Sequence, residues 1–117
     1  MDPRIPTAIF TLLLSGCDGV NCTNDVRQDL SSPDGRKRMI QFCRDGGATT
    51  GFNTQLTILE KGENLPDEAG NAFIADNGEA RVSWKPDGGI LVIYDHGTRF
   101  YKKELHVRGI QIEYREK

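Results

Sequence analysis

Four turn signatures divide residues 32–97 into segments that suit strands and not helices: Ser32-Pro33-Asp34-Gly35, Asp76-Asn77-Gly78, Lys85-Pro86-Asp87-Gly88 and Asp95-His96-Gly97. Proline presets φ for the second turn position, aspartate bonds back to the local backbone, and glycine accepts positive φ. The intervening segments are apolar or alternate. Met39–Cys43 (MIQFC) is a first apolar strand, and Asn53–Glu60 (NTQLTILE) a second with Leu56 and Ile58 on one face. Ala72–Ala75 and Ala80–Trp84 flank Asn77-Gly78, and Asn-Gly between alternating segments predicts a type I′ hairpin. Ile90–Tyr94 (ILVIY) is continuously apolar and suits a central strand buried on both faces; Arg99–Lys103 and Ile110–Tyr114 complete the set. Helical periodicity is confined to one turn near 64–69, inside the polar stretch 61–70. The expectation is an all-β domain over 32–117: a small antiparallel sheet or sandwich of about seven strands in meander order, with blade-like hairpins.

A length of 117 residues supports one domain. Fifteen basic residues against 17 acidic ones leave a formal charge of −2. Nucleic-acid binding draws on a basic excess for its phosphate contacts, so this balance argues against such a partner.

Residues 5–14 (IPTAIFTLLL) are apolar behind a single cation, Arg4. The run is too short for a bilayer, which takes about 20 residues, and matches the apolar region of a secretory signal. It ends at Leu14-Ser15-Gly16-Cys17, which resembles the lipobox of bacterial lipoproteins. That resemblance implies a signal peptide over 1–16 and cleavage before Cys17. It also implies a diacylglyceryl group on the Cys17 sulfur and a fatty acid such as palmitate on the new amine. Two or more acyl chains give stable membrane attachment where one does not. Without the resemblance, the same run reads as a buried N-terminal segment with a chance cysteine. Residues 17–31 then form a polar tether, within which Asp18 resembles an inner-membrane retention signal.

With Cys17 acylated, Cys22 and Cys43 remain as an even pair. Export would permit a disulfide between them, closing a loop of about 20 residues and contributing roughly 3 kcal/mol; otherwise both stay reduced and Cys43 is a small core residue. No Cys-x-x-Cys pair supports a metal or a redox motif, and neither metal nor cofactor is expected.

The paired Pro-Asp-Gly turns resemble the blade turns of TolB-like and WD40-like propellers, although a chain of this length cannot close a propeller. The mature pattern is also similar to small uncharacterised bacterial lipoproteins. It carries Ser32-Pro33-Asp34-Gly35, Gly47-Ala48-Thr49-Thr50-Gly51-Phe52-Asn53-Thr54-Gln55, Gly70-Asn71-Ala72-Phe73-Ile74-Ala75 and Gly109-Ile110-Gln111-Ile112. The resemblance implies location and fold, and no activity.

A Ser83, His96, Asp95 set has no nucleophile-elbow context, and an enzyme is not expected. The glycine-rich stretch 46–51 reads as a hairpin loop and, functionally, as a recognition loop. Arg44, Asp45, Thr49, Thr50 and Asn53 are its candidate contacts. The basic run Arg36-Lys37-Arg38 suits a guarded strand edge or a contact with anionic lipid. The expected function is non-catalytic protein binding or scaffolding at the membrane surface of the cell envelope, facing the periplasm or exterior. The partners are the membrane, through the anchor, and an envelope protein. The alternatives are an inhibitor or immunity lipoprotein that blocks a secreted hydrolase, and a small-ligand module or hydrolase with a deep pocket.

Overall fold

The computed structural model describes residues 23–45 and 53–117. The signal segment, Cys17, Cys22, Thr49 and Thr50 lie outside the described residues. Within them the chain is all-β, with nine strands: β1 (Thr23–Ser31), β2 (Lys37–Asp45), β3 (Thr54–Glu60), β4 (Phe73–Asp76), β5 (Ala80–Trp84), β6 (Ile90–Tyr94), β7 (Arg99–Lys103), β8 (His106–Val107) and β9 (Ile110–Glu116). They form a five-stranded sheet, β1-β2-β3-β4-β7, and a four-stranded sheet, β5-β6-β9-β8.

Both Pro-Asp-Gly turns make the expected hairpins. In each, a backbone bond closes the turn, Gly35 N–H to Ser32 O and Gly88 N–H to Lys85 O, both 2.9 Å. Gly35 and Gly88 sit at φ +76° and +95°, where a Cβ would be strained. The Asp34 and Asp87 carboxylates accept the following backbone N–H groups of Arg36 and Gly89 at 3.0 and 2.9 Å.

Several expectations need correction. Residues 23–31, read as tether, are β1, an edge strand mostly exposed and bulged at Val26–Gln28. An edge strand needs few apolar residues, so its polarity hid it. The Asn77-Gly78 hairpin does not form. β4 pairs with β3 and β7, whereas β5 pairs with β6 in the other sheet. Asn77 alone has positive φ, where a type I′ turn needs two such residues, so the segment is a corner between sheets. A second corner, 95–98, stacks on it: Asp95 N–H donates to Glu79 O at 3.1 Å, and Asp95 Oδ2 accepts Glu79 N–H at 3.0 Å. Finally, β9 runs parallel to β6, so the order is not purely an antiparallel meander.

The main core lies between the sheets: Met39, Leu56, Ile58, Phe73, Val82, Ile90, Val92 and Ile112. β6 is central in its sheet but buries one face, with Leu91 and Ile93 only half-buried. The sheet doubly covered is the other one. Along β3, residues Gln55–Leu59 are all buried. Their outward side, with Ile40, Phe42 and Leu59, packs under the connection 61–72 through Leu65.

That connection is strapped down by side chains. Arg38 Nη1 donates to Glu63 O at 2.6 Å, and Asn24 Nδ2 to Pro66 O at 3.0 Å. Gly70 N–H donates to Gln55 Oε1 at 2.7 Å. The Asn71 carboxamide bonds Ile58 N–H and C=O at 2.8 and 3.0 Å, completing the β3 backbone where β4 has ended.

Candidate functional site

Two side chains tie the sheets together. Trp84 Nε1 donates to Leu30 O across the sheets at 2.9 Å. Farther along, buried Gln41 donates to Ala80 O at 2.7 Å. Beyond Gln41 the two sheets part, leaving a groove of about 840 Å³ lined by Gln28, Cys43 and Thr54 on one side and residues 77–83 on the other.

The backbone of β5 borders this groove. Glu79 O accepts from Asp95, and Lys85 N–H donates to Gly89, so the odd-numbered β5 residues carry the bonds to β6. The N–H and C=O of Val82 therefore point away from β6, along the groove edge. β1 is the edge strand of the opposite sheet among the described residues.

Of the candidate contacts of the glycine-rich loop, the described ones, Arg44, Asp45 and Asn53, stand where β2 ends and β3 begins, next in sequence to the groove residues Cys43 and Thr54. Arg44 is not a free hand. Its Nη1 donates to Asn24 Oδ1 at 2.8 Å and to Asp67 Oδ1 at 3.0 Å, tying β1 and the strap to β2. Asn53 Oδ1 accepts Arg44 N–H at 3.1 Å and Gln55 Nε2 at 3.0 Å, which holds the base of the loop together. Asp45 pairs with Thr23 across the β1–β2 ladder. Cys43 is buried in the groove wall and joins no disulfide among the described residues; Cys22, its expected partner, lies outside them.

The paper triad is not assembled. Ser83 stands opposite Leu91, four residues short of Asp95, or about 13 Å at strand rise. The Asp95 carboxylate accepts Glu79 N–H and Lys117 Nζ, which together hold it below the usual carboxylate range. Exposed His96 meets Glu116 through Nδ1. His106 is exposed on β8. Among the described residues, no group of three His, Cys, Asp or Glu side chains is close enough to share a metal.

The basic run does not guard an edge. β2 is an interior strand, and Lys37 and Arg38 pair with Glu60 and Asp29 at 2.9 and 2.8 Å. Arg36 lies in a second cavity of about 590 Å³, where both Pro-Asp-Gly turns meet Arg108-Gly109. The salt bridge to Arg108 is the main cause of the depressed Glu63 pKa.

Sequence reasoning missed Gln41, Gln55 and Asn71, the polar residues that position the groove and the strap. A signal was present: Ile40, Phe42 and Leu59 are apolar at positions opposite in phase to Met39, Leu56 and Ile58, so both faces of β2 and β3 had to be covered. No protein-family model, curated protein or solved structure matches the chain.

Proposed function

We propose that this chain is a lipid-anchored, non-catalytic binding module of the bacterial cell envelope, held through Cys17, that receives an extended polypeptide segment in the groove between β1 and β5. The observation that carries the recognition half is the outward backbone of Val82 beside an opening of mixed polar and apolar lining. An extended peptide gains affinity from such main-chain groups and specificity from the flanking side chains. The anchoring half rests on Leu14-Ser15-Gly16-Cys17 behind an apolar run. With five residues between Cys17 and β1, the tether spans about 20 Å at most, which keeps the groove close to the membrane surface.

Site-specific photo-cross-linking in native envelopes tests this reading. A probe at Ser83 is expected to capture one defined envelope protein, and a probe at exposed Tyr101 is not. Val82→Pro removes the outward N–H without touching a ladder bond and is expected to abolish capture. Equal capture at both positions, or capture that survives Val82→Pro, overturns the groove. A secreted hydrolase as the captured protein makes the module an inhibitor.

A further inference from the structure

Away from the groove, three aromatic rings from three strands converge: Tyr94 of β6, Phe100 of β7 and Tyr114 of β9. They meet edge to face, Tyr94–Phe100 at 5.1 Å and 87°, Phe100–Tyr114 at 5.5 Å and 81°. The ammonium of Lys103 stands almost equidistant from all three ring centroids, at 5.3, 5.0 and 5.1 Å. The salt bridges among the described residues do not include Lys103. Its cation is met by three ring faces and by no carboxylate among the described residues.

We propose that Tyr94, Phe100 and Tyr114 form a binding site for a quaternary ammonium group, which Lys103 occupies as an internal stand-in when no ligand is bound.

The chemistry favours exchange. A primary ammonium is compact and strongly hydrated, so a ring of π faces only partly replaces its water. A trimethylammonium group is bulky and weakly hydrated, and aromatic cages recognise it for that reason. Lys103 is exposed, and its flexible stem can swing into solvent. The walls are set in advance. Tyr114 Oη donates to Glu104 O at 2.7 Å, and Glu104 N–H donates to Ala72 O at 2.9 Å. Phe73, fully buried, supports Phe100 and Tyr114 from below at 5.8 and 6.3 Å. Closing on a ligand therefore asks only Lys103 to move. The ligand chemistry is a trimethylammonium group, supplied by a small solute or by a choline lipid headgroup.

NMR titration of the full chain with tetramethylammonium chloride and with choline chloride, against potassium chloride and against 3,3-dimethylbutan-1-ol, the neutral isostere of choline, tests the site. Saturable shifts at the three rings are expected with the quaternary cations alone. Lys103→Ala frees the cage and is expected to tighten binding about tenfold, since apparent affinity scales with the fraction of open sites. Vesicles of phosphatidylcholine and of phosphatidylglycerol separate the two sources. Choline-selective binding identifies the headgroup, and binding of tetramethylammonium without it identifies a small solute. Equal binding of the neutral isostere, an affinity unchanged in Lys103→Ala, or no saturable binding to either protein overturns the proposal.

Discussion

The indole of Trp84 and the carbonyl of Leu30, 54 residues apart in the chain, share a 2.9 Å hydrogen bond that joins one sheet to the other. Trp84→Phe keeps most of the apolar contact and removes the donor. It should cost about 1–2 kcal/mol, seen as a lower urea midpoint at unchanged slope. A midpoint equal to wild type would show that the sheets dock without this bond.

The strap over 61–72 gives a second expectation. Arg38→Met keeps the aliphatic stem but loses the bonds to Glu63 O and Asp29. Destabilisation of about 1–3 kcal/mol should follow. Amide exchange should accelerate in 59–65 and leave β6 and β9 unaffected. Uniform acceleration would mean that the strap is not a separate unit.

Two glycines form a matched pair. A Cβ at Gly70 would lie 2.6 Å from Leu56 O and 3.0 Å from Phe73 O, both backbone atoms that cannot turn aside. A Cβ at Gly62 meets nothing. Gly70→Ala should cost about 1–3 kcal/mol. Gly62→Ala should be neutral or stabilise by a few tenths of a kcal/mol, through the unfolded chain. Thermal melts of the two variants compare them directly.

Stability should fall at both extremes of pH. Asp29 beside Arg38, Asp76 beside Arg99 and Tyr101, and Glu113 beside Lys85 and Arg115 all titrate below their ordinary values. Each contributes stability that is present above about pH 4 and is lost as the pH drops through the folded-state value. Burial, with the Glu104 charge second, raises the Tyr114 phenol. Its contribution is present below about pH 10 and is lost progressively as the pH climbs from there toward its raised folded-state value. The urea midpoint at pH 3 should lie below that at pH 6, and at pH 11 below that at pH 8. Added salt should shrink the acid effect, because these ion pairs are exposed.

Local rules carried the strands and hairpin turns because both are written in a few adjacent residues. The Pro-Asp-Gly turns needed only proline, aspartate and glycine in order. What escaped was set by contacts distant in sequence. Asn77-Gly78 became a corner because β4 found partners in β3 and β7, and β5 found one in β6. β1 looked like a tether because its apolar contact is concentrated in Leu30, under Trp84. Of the site, Arg44 and Asn53 were legible as the base of a loop. Their mutual bonding was not, since Arg44 is satisfied by Asn24 and Asp67 from elsewhere in the chain. The Lys103 cage combines β6, β7 and β9, and no local spacing announces it.

Intact-mass analysis of the protein taken from its own membranes tests the anchored-module account most directly. The account predicts a chain that begins at Cys17 and is heavier than residues 17–117 by a diacylglyceryl group and a fatty acyl group. An unacylated chain that retains residues 1–16 would contradict it.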